Sequence, residues 1–121
     1  MTRAPVSTTQ AVLDHHLQCF GAGDLEGLLS DFAPDAVIFT QMGPLRGEDA
    51  LKGLFRSLIA EFAKPTSAVE TKVLTVDGDY AYTVWSADTA DNVYELACDT
   101  FVVRNGKFVM QSFVAKVTPK S

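Results

Sequence analysis

The residue of this chain with the clearest chemical potential is Asp99, an acid inside a segment that otherwise has the composition of a buried strand. Residues 96–103 read Leu-Ala-Cys-Asp-Thr-Phe-Val-Val. A carboxyl group in such surroundings must be paired, hydrated in a cavity or kept protonated, because burial penalises its charged form. A protonated carboxyl group can donate a hydrogen bond to the oxygen of a reacting molecule. Asp99 is therefore the first candidate for catalysis, and a structural carboxylate bonded to Gln111, to His16 or to water is the alternative.

His16 is the second candidate, because it lies about 60° from Leu13 on the helical wheel, at the edge of an apolar helix face. His15 lies nearly opposite Leu13 and is predicted to face solvent. The functional interpretation makes His16 a base or donor in a pocket, within hydrogen-bond reach of Asp99. The alternative is a core histidine that is bonded to a backbone carbonyl group.

Other kinds of site have little support in the sequence. His15 and Cys19 are four residues apart, but a zinc site needs three or four ligands, and no second pair of ligands is recognisable. Ser86 and Ser112 lack a nucleophile-elbow context, and the glycines form no phosphate-binding loop. Cys19 and Cys98 each lie in an apolar segment, which favours two reduced, buried thiols. We predict no metal and no cofactor.

The composition is that of one soluble globular domain spanning residues 1–121. Apolar residues make up 47% of the chain and charged residues 21%, and the net charge is -5. The lysines and arginines form no basic stripe, so no nucleic-acid partner is expected, and no apolar run is long enough to span a membrane. Residues 1–5 lack the apolar core of a signal peptide, which favours a cytoplasmic location.

Three helices are predicted in the N-terminal half. A capping box formed by Ser7 and Gln10 begins the first helix, and Gly21 ends it. Asp24 caps a short second helix that continues through Phe32 to Pro34. A short strand at residues 36–41 and a turn at residues 42–44 follow. The third helix, residues 48–63, has the cleanest amphipathic pattern of the chain.

Four strands are predicted in the C-terminal half. The apolar residues there no longer follow helical spacing, and turn signals divide the segment into four parts. They span residues 67–76, 80–87, 93–104 and 107–117. Asn105-Gly106 between two apolar runs is a strong hairpin signal. The sequence therefore predicts an α+β fold in which three N-terminal helices pack in a strongly curved antiparallel sheet.

Strand alternation predicts which side chains share a pocket with Asp99. Phe101 lies on the same strand face as Asp99, and the hairpin register turns Gln111 and Phe113 inward, with Gln111 near Asp99. Trp85 is flanked by small residues on its face, which suits a cavity wall, although either face of its strand fits the pattern.

Three stretches of the chain resemble the nuclear transport factor 2-like superfamily, and most closely its SnoaL-like and ketosteroid-isomerase-like group. They are His-Leu-Gln-Cys-Phe-Gly-Ala-Gly-Asp-Leu-Glu-Gly-Leu at residues 16–28, Phe-Ala-Pro-Asp-Ala-Val at residues 32–37 and Gly-Pro-Leu-Arg-Gly at residues 43–47. The resemblance implies a cone-shaped, cystatin-like fold with an apolar pocket between sheet and helices. It also implies a homodimer formed through the outer face of the sheet.

The resemblance also implies roles for particular residues. Asp99 falls where the isomerases keep a protonated aspartate in their oxyanion hole, and His16 falls where they carry the tyrosine that donates the other hydrogen bond. Phe55 falls at an aromatic position that lines the pocket. Thr40 occupies the position of the general-base aspartate, and threonine cannot abstract a carbon-bound proton unaided at neutral pH. Steroid isomerisation by the family mechanism is therefore not expected.

These observations favour a pocket for a small hydrophobic ligand that carries a carbonyl or hydroxyl group. If the protein is an enzyme, we expect cofactor-free isomerase, cyclase or dehydratase chemistry, with Asp99 as donor and His16 as its titrating partner. The alternative is a non-catalytic ligand-binding or dimerisation module. The predicted ligand-binding residues are Thr40, Phe55, Trp85, Phe101, Gln111 and Phe113.

Overall fold

The structure, a computed structural model, describes residues 8–120 and contains three helices and a six-stranded sheet. The helices are α1 (Thr8–Ala22), α2 (Leu25–Leu29) and α3 (Glu48–Phe62). The strands are β1 (Phe32–Thr40), β2 (Gly43–Arg46), β3 (Ala68–Asp77), β4 (Tyr80–Asp88), β5 (Asn92–Arg104) and β6 (Lys107–Pro119). The proposed capping residue Ser7 and residues 1–5 lie outside the described part.

The sheet is mixed, with the strand order β2-β1-β6-β5-β4-β3. Strand β1 runs parallel to β6, whereas every other neighbouring pair is antiparallel. The predicted α+β class with a strongly curved sheet is confirmed, but the wholly antiparallel arrangement is wrong at this one pair. No hairpin joins β1 to β6, since α3 and the other strands lie between them in the chain, so local sequence does not fix their relative direction.

Two predicted boundaries near the N-terminus are also wrong. The second helix ends at Leu29, and Phe32 and Pro34 belong to β1. Pro34 lies within an irregular part of that strand, where the register with β6 shifts between Phe32 and Val37. A strand tolerates a proline, which has no N–H group, at such an irregularity, so Pro34 does not mark the end of a helix. The predicted turn at residues 42–44 overlaps β2.

The β5–β6 hairpin has the register that its turn residues predict. Asn105 and Gly106 both have positive φ values, 53° and 76°, as a two-residue turn of the primed type requires. Asp99 is paired with Phe113 on β6 and with Thr83 on β4, so all three project from the same sheet face. This inner face is covered by α1 and α3, and it holds the candidate site.

The main core lies between the helices and the inner face of the sheet. Its fully or almost fully buried members include Leu13 from α1, Leu28 from α2 and Phe101 and Phe108 from the sheet. Burial of such side chains contributes about 1.5–3 kcal/mol each. A second cluster, around Tyr94, Ala97 and Ala115, lies toward the β4–β5 turn. Within residues 8–120, none of the helices has both the length and the apolar character needed to cross a bilayer.

Candidate functional site

A cavity of about 140 Å³ lies between α1, α3 and the inner face of the sheet. Helix residues on its wall include His16, Leu17, Phe20, Leu54, Phe55, Leu58 and Phe62, and strand residues include Val69, Thr71, Leu74, Thr83, Trp85, Asp99, Phe101, Gln111 and Phe113. Nearly all of the predicted site residues are therefore brought together. Thr40 is the exception, because it lies outside this wall.

Asp99 is held by donors from two neighbouring strands. Trp85 Nε1 donates to Asp99 Oδ2 at 2.8 Å, and Thr83 Oγ1 donates to the same oxygen at 3.2 Å. Gln111 Nε2 donates to Asp99 Oδ1 at 3.1 Å. Asp99, Thr83 and Gln111 are all buried. The group is thus an acid at the wall of an apolar cavity, with each carboxyl oxygen accepting at least one hydrogen bond.

Burial raises the pKa of Asp99 above its ordinary value, because the apolar surroundings penalise the carboxylate. The hydrogen bonds from Trp85, Gln111 and Thr83 act in the opposite direction and lower the pKa, but burial is the larger effect. The protonated form is therefore favoured relative to an exposed aspartate. Such a carboxyl group can both donate a hydrogen bond and accept one.

Gln111 can serve either protonation state of Asp99. Its Nε2 donates to the carboxyl group, while its buried Oε1 has no hydrogen-bond partner among the described residues. Rotation of the amide by half a turn exchanges these two atoms, so that Oε1 accepts from a protonated Asp99. The Gln111 amide can therefore form a hydrogen bond with Asp99 whether the carboxyl group is protonated or not.

His16 is buried among aromatic rings rather than bonded to a polar group. Four phenylalanine rings lie edge-on to its imidazole at centroid distances of 5.2–5.8 Å, namely Phe32, Phe55, Phe101 and Phe108. Its Nδ1 has no hydrogen-bond partner among the described residues. Burial, together with the nearby His15, lowers the pKa of His16 from 6.5 to about 4. His16 is consequently neutral at pH 7.

These facts change two expectations about the pair. The hydrogen-bond partners of Asp99 are Thr83, Trp85 and Gln111, and His16 is not among them. The sequence indicated that His16 titrates together with Asp99, but burial places its pKa well below neutrality. His16 and Asp99 instead face the same cavity as two separate groups, one a neutral imidazole and the other an acid with a raised pKa.

Trp85 faces the cavity. The alternation of side chains along β4 allowed either face, and Trp85 lies on the inner one. Its indole ring packs parallel to Phe113, with a 13° interplanar angle, and lies against Tyr94 and Phe62. The Tyr94 hydroxyl donates to Glu61 Oε1 at 2.8 Å, which ties the end of α3 to β5. These contacts fix the direction of the indole N–H, and so they position one of the donors to Asp99.

Thr40 and Thr83 show where strand reasoning was insufficient. Thr40 Oγ1 donates to the Gly43 carbonyl at 2.9 Å and accepts from the Met42 N–H at 3.1 Å, so it stabilises the β1–β2 turn. Thr83 shares its strand face with Trp85 and belongs to the site, although it was not among the predicted residues. A signal for it exists in the antiparallel register, because Thr83 lies directly opposite Asp99.

His15 has a buried partner, although it is half-exposed as predicted for a solvent-facing residue. Its Nδ1 lies 2.8 Å from both carboxyl oxygens of Asp31, which is mostly buried. Burial raises the pKa of Asp31, and the hydrogen bond from His15 opposes that effect. No group of three or more histidine, cysteine or acidic side chains is placed to hold a metal ion within residues 8–120. Both cysteines are free, with Cys19 buried and Cys98 half-buried.

The fold and the sequence together define the class of protein. The model of the SnoaL-like domain matches residues 13–111, which run from α1 into β6. The chain belongs to this family, within the nuclear transport factor 2-like superfamily. No curated protein matches the chain significantly.

Solved structures with the same fold differ widely from this chain in sequence. A protein of unknown function from Mesorhizobium loti, described as NTF2-like, has a TM-score of 0.76 at 20% identity, covering 96% of this chain and 99% of that one. SalBIII, an epoxide hydrolase/cyclase-like enzyme of pyran ring formation in salinomycin, has a TM-score of 0.76 at 15% identity, covering 93% and 95%. A Kribbella flavida protein with a provisional ketosteroid isomerase assignment has a TM-score of 0.73 at 12% identity, covering 94% and 82%. At these identities the likeness shows the fold, and function must be argued from the site.

Proposed function

We propose that this protein binds a small hydrophobic compound whose carbonyl or hydroxyl oxygen is held by Asp99 and His16. The observation that carries the proposal is a buried acid with a raised pKa at the wall of a largely apolar cavity. An engineered apolar cavity of about 150 Å³ holds benzene, so a cavity of about 140 Å³ suits one six-membered ring. The ligand class is therefore a ring-sized molecule with one oxygen function.

The chemistry that this pair supports is proton transfer without a cofactor. Isomerisation, cyclisation and dehydration each require that a proton leave one atom and that a proton or hydrogen bond reach an oxygen. Asp99, with its raised pKa, can donate to the ligand oxygen. His16 also faces the cavity and is neutral at pH 7, and with its pKa of about 4 it can accept a hydrogen bond or act as a weak base. The isomerase and cyclase names among the structural neighbours agree with this class of chemistry.

The first test is the binding of 4-nitrophenol, whose absorption distinguishes the phenol from the phenolate. Trp85 is the only tryptophan of the chain and contacts Asp99, so its fluorescence reports binding at this site. We expect Asp99→Asn to weaken phenolate binding by about tenfold, because an amide N–H replaces the more acidic carboxyl O–H as the donor to a charged oxygen, and such hydrogen bonds are worth about 1.5–3 kcal/mol. Asp77→Asn, at the exposed end of β3, is the matched control and should bind as the unmodified protein does. Undiminished affinity in Asp99→Asn would exclude the oxyanion role.

The alternative is a non-catalytic ligand-binding or dimerisation module. The hydrogen bonds from Thr83, Trp85 and Gln111 favour it, because they also satisfy a purely structural carboxylate. Exchange of the α-hydrogens of cyclohexanone in D2O separates the two functions. A proton-transfer site accelerates this exchange over buffer, and His16→Met removes the acceleration. If the protein binds 4-nitrophenol but does not accelerate the exchange, it is a ligand-binding module. If it neither binds 4-nitrophenol nor accelerates the exchange, only the dimerisation module remains.

We also propose a homodimer formed through the outer face of the sheet. Large apolar side chains project from this face while they are 38–51% exposed, namely Phe39, Val73, Tyr82, Leu96 and Val114. Exposed apolar patches of this kind mark association surfaces. We expect a dimer in sedimentation experiments at micromolar concentration and a monomer for Val114→Lys, since a two-fold interface repeats the added charge. Ala60→Lys, on the exposed side of α3, is the control, and a monomeric unmodified protein would contradict the proposal.

A further inference from the structure

The inner face of the edge strand β3 is exposed where it borders the cavity. Thr71 is paired with Trp85 and Leu74 with Thr83, so both project from the inner face of the sheet. The register shift between Thr71 and Val73 permits this, because residues three apart share a face only across a bulge. Val69 lies on the same face, opposite Ala87. Inward-facing residues that remain exposed show that the helices do not extend over this strand.

Leu17 on α1 faces these residues across the mouth of the cavity. Leu17 is 43% exposed, Val69 56% and Leu74 41%, and all three also line the cavity. We call Leu17, Val69 and Leu74 the rim strip. The charged neighbours Glu70 and Lys72 pair with each other at 3.5 Å. The rim strip is therefore a mostly apolar surface, interrupted on β3 by Thr71, that continues the wall of the cavity outward.

The size of the cavity determines what can reach the rim strip. A volume of about 140 Å³ accommodates one ring, and the polar side chains Asp99, Thr83 and Gln111 of the cavity are buried, whereas Thr71 is exposed. A ligand that is larger than one ring, and whose oxygen contacts Asp99, must extend past the mouth. The surface that it then meets is mostly apolar, so the extending part is favoured when it is apolar as well.

We propose that the ligand is an amphiphile with a ring-sized, oxygen-bearing head in the cavity and an unbranched apolar tail that lies along the rim strip. The proposal rests on the proposed function, because it assumes that Asp99 holds the head. Beyond that function, the proposal specifies the chemical class of the part of the ligand that lies outside the cavity. Val69 and Leu74 are five residues apart on β3, so the strip is roughly 16 Å long and can contact several methylene groups in succession.

The experiment compares phenol with 4-ethylphenol, 4-butylphenol and 4-hexylphenol, with binding followed by Trp85 fluorescence and by calorimetry. We expect the affinity to increase about two- to fourfold for each added methylene group, where the upper value corresponds to complete burial of that group. A tail that remains in solvent gives the same affinity for all four compounds. Equal affinities for the four compounds would therefore overturn the proposal.

Variants locate the tail. Leu17→Gln and Leu74→Thr remove apolar surface from the rim strip, and each introduces a residue that suits its helix or strand. In both variants we expect the gain per methylene group, taken relative to each variant's own affinity for phenol, to fall to less than half. Val73→Thr is the matched control, because Val73 is 38% exposed on the same strand but faces outward, opposite Val84. This variant should retain the full gain.

The remaining outcomes distinguish a failure of the proposed function from a failure of the proposed tail site. If phenol itself does not bind, the proposed function fails. If phenol binds and the gain per methylene group is the same in Leu17→Gln and in Leu74→Thr as in the unmodified protein, the tail lies elsewhere and the inference fails alone. If these variants instead abolish a dimer seen by sedimentation without changing the gain, the rim strip is a contact between copies, and the inference is again wrong.

Discussion

Replacing His16 by methionine is expected to stabilise the protein by about 1 kcal/mol at pH 7, although the residue is buried in the core. The imidazole Nδ1 has no hydrogen-bond partner among the described residues, and a buried polar atom without a partner costs about 1–3 kcal/mol. Methionine has a similar volume, suits a helix and makes favourable contacts with the four phenylalanine rings around this position. Urea denaturation followed by circular dichroism measures the change.

The same substitution should remove a pH dependence of stability. The folded pKa of His16 is about 4, below its ordinary value of 6.5, so between these two values the unfolded chain binds the proton more strongly. The contribution of His16 is therefore fully present above pH 6.5 and is lost as the pH falls toward 4. By pH 5 the unmodified protein should have lost about 2 kcal/mol that His16→Met retains.

Leu17→Met controls for methionine at a neighbouring position of α1, and its stability should differ from that of the unmodified protein by less than about 0.5 kcal/mol at every pH. If the free energy of unfolding changes equally between pH 7 and pH 5 in His16→Met and in the unmodified protein, His16 is not a buried neutral imidazole. A stabilised variant that no longer binds 4-nitrophenol would indicate that His16 is present for ligand binding at the expense of stability.

The sequence predicted the inward faces of β5 and β6 because two local rules agreed there. Side chains alternate along a strand, and Asn105-Gly106 fixes the hairpin register. Together these rules are sufficient to place Phe101, Gln111 and Phe113 on the side of Asp99. The α+β class followed from the change of apolar period after α3. These features depend on neighbours in the chain, which is why they could be predicted.

The features that the sequence could not predict depend on contacts between distant segments. The direction of β1 beside β6 depends on pairs such as Ile38 with Gln111, which lie far apart in the chain. The partners of Asp99 depend on side-chain directions. Alternation left both faces of β4 open for Trp85, and the direction of its N–H depends on the packing of its ring against Phe113, Tyr94 and Phe62.

Asp99→Leu should be strongly destabilising, by about 3 kcal/mol or more. The substitution leaves the Trp85 N–H, the Thr83 hydroxyl and the Gln111 amide without their acceptor, and each buried donor that loses its partner costs about 1–3 kcal/mol. A domain of this size has a total stability of about 5–15 kcal/mol, so the loss is a large part of it. Asp77→Leu, at an exposed position, is the control and should change the free energy of unfolding by less than about 0.5 kcal/mol.

Asp99→Asn should change stability by no more than about 1 kcal/mol at low pH, because its amide oxygen can accept from Trp85 and Thr83 while the Gln111 amide rotates to present the unpartnered Oε1. The pKa of Asp99 is raised in the folded state, so its contribution to stability is greatest below its ordinary value of 3.8 and declines as the pH rises through the folded pKa. Asparagine does not titrate. The stability of Asp99→Asn relative to the unmodified protein should therefore increase with pH across that interval, as measured by urea denaturation at a series of pH values. A constant difference would mean that Asp99 has the same pKa folded and unfolded, and the protonated donor on which the proposed chemistry depends would then be lost.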